Sequence, residues 1–76
     1  MKKHNRHMIF RELRERFKSM EDWAKANEWT IFQYENNRLD GMITALYFSG
    51  CVNDKVYHRL SAIRIERVKH CLHKYN

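Results

Sequence analysis

The sequence has no proline and only two glycines, Gly41 and Gly50. Because proline and glycine are the residues that most often interrupt helices and form tight turns, so few of them favour long helices over short strands. A length of 76 residues gives one small hydrophobic core and no second domain. The sequence therefore predicts an all-α fold, a small bundle of three to four helices.

Cysteine is also scarce, and long apolar runs are missing. Two cysteines, Cys51 and Cys71, are too few for the disulfide scaffold of a small secreted domain. No apolar run approaches the roughly 20 residues of a membrane span, and polar residues follow the initial Met-Lys-Lys where a signal peptide would be apolar. We therefore expect a cytoplasmic protein that does not enter a membrane.

The motifs of common catalytic and metal sites are absent from the sequence. It has no phosphate-binding glycine loop, no G-x-S-x-G and no H-E-x-x-H. His70 and His73 have a spacing that shares a helix face, but no second ligand pair accompanies them, as a tetrahedral zinc site requires. We therefore expect a protein that is not an enzyme and that has no metal site and no cofactor.

Basic residues are what the sequence has in excess. Fifteen Lys and Arg stand against nine Asp and Glu, which gives a formal net charge of +6. Such an excess is typical of proteins that bind polyanions, most often nucleic acids. A net charge of about 2 to 8 units also keeps a small domain soluble, so the charge favours DNA or RNA as a partner without requiring it.

Apolar side chains at helical spacing begin near the N-terminus. Residues 1–7 are polar and basic without apolar periodicity, so we expect a flexible basic arm before a single helical domain at 8–76. From Met8 the spacing predicts a helix. A capping-box pattern would start a second short helix at Ser19, and one continuous helix as far as Ala26 is the alternative.

The middle of the chain is ambiguous between helix and strand. Residues 28–34 are rich in aromatic and β-branched residues, which favour strands, but the apolar spacing that follows fits a helix, which we prefer. Gly50 then suits the left-handed position past a helix end, and Asn53 suits the N-cap of a last helix. We expect an antiparallel helical hairpin with its corner at 50–53. The alternative is a DNA-reading helix-turn-helix, although bulky Leu46 lies where that motif needs a small residue.

Two functions follow from these features, each with its own residues. The first is nucleic-acid binding, in which basic side chains neutralise phosphates. Its predicted residues are Lys2, Lys3, Arg6, Arg11, Arg14, Lys18, Arg59, Arg64, Arg67 and Lys74. The alternative is a protein-binding inhibitor or adaptor that covers a larger partner protein, since aromatic residues and Arg anchor protein interfaces. Its predicted residues are Trp29, Phe32, Tyr34 and Tyr47.

The two functions require different surfaces. The nucleic-acid hypothesis predicts that Arg11, Arg14, Arg64 and Arg67 lie on one exposed surface. It would fail if these arginines were split across opposite faces or held in ion pairs with Glu12, Glu15 and Glu66. Protein binding requires an exposed apolar patch of roughly several hundred Å² around the aromatic residues. A homodimer would bury a similar patch. A chain this short gains stability from association, because alone it buries only about 60% of the surface that its unfolded form exposes. By scale alone, the chain would suit a small regulator of the kind that phages and mobile elements encode.

Overall fold

Three helices make up the fold in the computed structural model, which describes the backbone of residues 3–76 and the side chains from residue 6 onward. They are α1 (Lys3–Lys25), α2 (Trp29–Phe48) and α3 (Asp54–Tyr75), and no strand occurs in this range. Each helix packs against the other two. The predicted small all-α bundle is therefore confirmed. None of the described helices has the length and apolar content to cross a membrane.

The first helix is continuous where a break was expected. α1 passes through Ser19, so the prediction of a second helix starting there is wrong. Phe17 and Met20 on either side are 7% and 0% exposed, and a break between them would turn one of them out of the core. Residues 3–7 of the expected arm have helical backbone, and their flexibility stays a prediction. The helix ends before Asn27, which has a φ of 60°.

The ambiguous middle of the chain is helical, as preferred. α2 begins at Trp29 and buries Phe32, Leu39 and Ile43 on one face, which are 2%, 0% and 1% exposed. Burial of this stripe outweighs the strand preference of the individual residues, since strand propensity depends strongly on packing context. At Gly41 an added Cβ would meet nothing within 4 Å, so this glycine does not mediate a close helix crossing.

The connection between α2 and α3 has the predicted cap residues. Gly50 has a φ of 79°, and its N–H donates to the Tyr47 carbonyl at 3.1 Å. The Asn53 side chain accepts a hydrogen bond from the Val56 N–H at 2.9 Å, which satisfies one free amide at the start of α3. The finer expectation of an antiparallel hairpin with its corner at 50–53 stays a prediction.

The core is unequally shared among the helices. Its buried members are Leu13, Phe17, Met20 and Ala24 of α1, Phe32, Leu39 and Ile43 of α2, and Leu60 and Cys71 of α3. α3 therefore contributes the fewest buried side chains to the cluster although it has 22 residues. Many side chains of α3 are therefore exposed to solvent, including those along its border with α1.

Candidate nucleic-acid interface

A groove follows the junction of α1 and α3. It consists of two adjoining depressions of about 810 and 330 Å³, which share Glu21, Ile63 and Arg67. The lining residues of α1 are Phe10, Leu13, Arg14, Phe17, Lys18 and Glu21. Those of α3 are Arg59, Leu60, Ala62, Ile63, Glu66, Arg67 and His70. We refer to this surface as the α1–α3 groove.

Helical periodicity explains why cations line the groove. Arg59, Ile63 and Arg67 follow one another at intervals of four residues, which return a side chain to the same helix face. Arg14 and Lys18 of α1 have the same interval. Two short rows of basic side chains therefore line the two sides of one groove.

The cations of the groove differ in how far they are neutralised. Among the described side chains, no carboxylate lies within 4.0 Å of Arg14, Arg59 or Arg67. Lys18 Nζ lies 3.1 Å from Asp22 Oδ2, but both side chains are exposed and such pairs contribute about 0 to 1 kcal/mol. The three arginines are therefore available to an anionic ligand.

The floor of the groove is apolar. Phe17 and Leu60 are 7% and 8% exposed at its base, whereas Ile63 is 37% exposed and faces the opening. The Arg67 guanidinium lies over the Phe17 ring, with 5.8 Å between its central carbon and the ring centroid. This cation–π contact restrains Arg67 at the centre of the groove.

The carboxylate of Glu21 is occupied by α3. Tyr75 donates its hydroxyl hydrogen to Glu21 Oε2 at 3.2 Å, and His70 Nε2 lies 3.8 Å from the same oxygen. His70 adds a positive charge only when it is protonated. Glu66 is the second carboxylate of the groove and lines its larger depression.

Arg64 lies outside the groove, contrary to expectation. Its side chain is 18% exposed and is held by α2, where it donates to Asn36 Oδ1 at 2.7 Å and lies 3.6 Å from Asp40 Oδ1. The expectation that four arginines share one exposed surface therefore fails for Arg64. The cause is its place four residues after Leu60, which turns it toward the bundle rather than toward α1.

None of the other predicted basic residues with a described side chain lines the groove. Arg11 is exposed and lies three residues before Arg14 on α1. Arg6 lies over the ring of Phe10, a residue of the groove, at 5.9 Å from the ring centroid. Lys74 Nζ lies 5.3 Å from the centroid of the Tyr75 ring. Lys2 and the side chain of Lys3 fall outside the described residues.

The aromatic residues of the alternative site do not form one exposed surface. Phe32 is buried, and Trp29 meets it edge-on with ring centroids 5.0 Å apart. Tyr47 is half-buried and stacks on Tyr57 with centroids 4.4 Å apart. Tyr34 alone among the four is exposed, at 63%. Phe32 is therefore a core residue and not a partner-contacting one.

Sequence reasoning missed two residues of the α1–α3 groove and one exposed aromatic residue outside it. His70 and Ile63 were not among the predicted site residues, although their spacing from Arg67 places them on its face. Phe48 is 80% exposed, more than any other large apolar side chain among the described residues. Its position follows from the wheel of α2, where Phe48 lies opposite Leu39.

Neither a metal-ligand cluster among the described side chains nor a similarity to a known protein indicates a function. Among the described side chains, no three His, Cys, Asp or Glu residues converge in a way that would hold a metal ion. No family model matches the chain, and no curated protein and no solved structure matches it. A function for this chain is therefore proposed from the geometry of the α1–α3 groove.

Proposed function

We propose that this protein binds nucleic acid, DNA or RNA, through the α1–α3 groove and acts as a small regulator without catalysis. The observation that carries this proposal is that Arg14, Arg59 and Arg67 line one groove without a carboxylate within 4.0 Å among the described side chains. Basic side chains that contact phosphates release condensed counterions, and this release favours binding. The net charge of +6 acts in the same direction.

The spacing of the cations fits a nucleic-acid backbone. Arg59 and Arg67 are eight residues apart on α3, which corresponds to about 12 Å along the helix axis. One strand of a duplex carries a phosphate about every 3.4 Å of axis, so this span covers about three or four phosphates. Arg14 and Lys18 extend the same basic lining onto α1.

A pair of charge-reversed variants tests the proposal. Arg14→Glu with Arg67→Glu removes two cations from the groove. Arg38→Glu with Lys69→Glu makes the same change in net charge at exposed positions outside the groove lining. We expect the first variant to lose binding to labelled oligonucleotides in fluorescence anisotropy at about 50 mM salt, where phosphate contacts contribute most.

The control variant should bind much more tightly than the groove variant. Circular dichroism should show equal helix content in both, because all four substituted side chains are exposed. Equal losses in the two variants would mean that net charge rather than the groove governs binding. Absence of binding by the unmodified protein at low salt would refute the proposed function.

A second candidate function is an inhibitor or adaptor that binds a larger protein. The observation that favours it is that Tyr34, 63% exposed, and half-buried Trp29 line one shallow depression on α2. Large aromatic side chains often dominate the energy of protein interfaces. If this function is correct, Tyr34→Ala should abolish association with a co-purifying partner, whereas the exposed control Phe48→Ala should retain it. Loss in both variants, or in neither, would count against this candidate.

A further inference from the structure

We infer that the nucleic acid held by the α1–α3 groove is single-stranded, with one base stacked on the guanidinium of Arg67. The inference rests on the proposed function and specifies its ligand. The first observation is that the central carbon of the Arg67 guanidinium lies over the Phe17 ring, 5.8 Å from the ring centroid, while the residue remains exposed. Guanidinium planes are among the surfaces on which unpaired bases stack.

The shape of the groove favours an unpaired base over a duplex. Packed helices lie with their axes about 8 to 10 Å apart, so a surface groove along their junction is narrower than a duplex. The major groove of a duplex is itself about 12 Å wide. A duplex could therefore only rest on the rim of the groove, whereas a single base is small enough to enter the depression that Ile63 and Arg67 line.

The charges within the groove point to the same ligand. The larger depression combines the apolar side chains of Ala62 and Ile63 with the carboxylate of Glu66. The carboxylate of Glu21 borders both depressions and is already held by Tyr75. Carboxylates repel phosphates but accept hydrogen bonds from base amino groups. Arg14 and Lys18 lie in the smaller depression, which has an excess of cations. A single strand that places its phosphates at the smaller depression and one base in the larger depression therefore fits the charges of the two depressions.

A substitution that keeps the charge separates stacking from electrostatics. Arg67→Lys retains the positive charge and removes the planar guanidinium, and Arg59→Lys is the matched control in the same row of α3. Because a stacked base would lose its planar partner, Arg67→Lys should weaken binding of a single strand at least about fivefold. Arg59→Lys should change it less than about twofold. Circular dichroism confirms that both variants are folded.

Three oligonucleotides complete the experiment, prepared as both DNA and RNA. They are a single strand, the same strand paired in a duplex, and a strand of equal length with abasic sites. The unmodified protein should prefer the single strand over the other two at least about fivefold, and Arg67→Lys should remove this preference. Similar preferences in DNA and RNA are expected because stacking uses the base face that both share.

The outcomes separate this inference from the proposed function. Duplex binding as tight as single-strand binding, or equal effects of the two lysine substitutions, would overturn the inference and leave the nucleic-acid function intact. Equal affinity for the abasic strand and the intact single strand would also overturn the inference and leave the nucleic-acid function intact. Failure of all three oligonucleotides to bind would refute the proposed function and with it the inference.

Discussion

Arg64 and Arg67 lie three residues apart on α3, and we predict that they have separate roles. Arg64 is 18% exposed and donates a hydrogen bond of 2.7 Å to Asn36 of α2. Arg67 is exposed in the α1–α3 groove, where it contacts the Phe17 ring at 5.8 Å. Substitution of Arg64 by Ala should therefore lower stability and leave binding unchanged. Substitution of Arg67 by Ala should weaken binding and lower stability much less.

The magnitudes follow from the contacts of each side chain. A hydrogen bond from a charged donor contributes about 1.5 to 3 kcal/mol. Asp40 is 59% exposed and 3.6 Å from Arg64, so this pair adds little. The buried Nε of Arg64 has no partner among the described residues, and its removal offsets part of the loss. We expect Arg64→Ala to cost about 2 kcal/mol, which lowers Tm by about 8 to 16 °C. The exposed cation–π contact of Arg67 is worth about 0.5 to 1 kcal/mol, or about 2 to 8 °C.

Thermal unfolding and oligonucleotide binding are measured on both variants, with binding at a temperature where each is folded. Arg64→Ala should bind within about twofold of the unmodified protein, while Arg67→Ala should bind at least about fivefold more weakly. The separation of roles would be refuted if Arg64→Ala kept its Tm and lost binding. It would also be refuted if Arg67→Ala had full affinity.

Three further predictions concern the fold and its pH dependence. In urea unfolding, Gly41→Ala should raise the free energy of unfolding by about 0.5 to 1 kcal/mol, because the helix interior favours alanine. Gly50→Ala should lower it by about 1 kcal/mol, because the φ of Gly50 is 79°. Leu39→Ala should cost about 2 to 5 kcal/mol, a large part of the roughly 4 to 11 kcal/mol expected for 76 residues. Burial raises the pKa of the Cys71 thiol, so the folded state keeps this proton longer than the unfolded state. The resulting stability is present below about pH 8.5 and is lost as pH rises through the folded pKa. Urea unfolding at pH 7 and pH 10 should show this loss, and Cys71→Ala should reduce it; a larger loss in the variant would contradict the assignment.

Local signals in the sequence were sufficient for the main elements of the fold. Scarce proline and glycine predicted long helices, and the apolar spacing after residue 34 predicted a helix where the structure has α2. Gly50 and Asn53 were identified as cap residues because their conformational and hydrogen-bonding properties suit those positions. These features depend on residues close in the chain, which a sequence pattern records directly.

The candidate site was less predictable because it depends on how helices are arranged around one another. Arg64 and Arg67 differ by only about 60° on the wheel of α3, and whether either faces solvent depends on where α1 and α2 pack. Ser19 had the local pattern of a helix start, but burial of the residues on either side kept α1 continuous. Composition therefore predicted a basic surface, whereas its division into a groove and an interhelical contact required the three-dimensional structure.

The most direct test of groove binding is the salt dependence of oligonucleotide affinity, measured between about 50 and 200 mM salt. Three or four phosphate contacts predict that log K falls with log salt with a slope of about −2 to −4. The variant with Arg14→Glu and Arg67→Glu should show a much weaker dependence, while the variant with Arg38→Glu and Lys69→Glu should retain most of it. An unchanged slope in the groove variant, or no binding by the unmodified protein at 50 mM, would contradict the account.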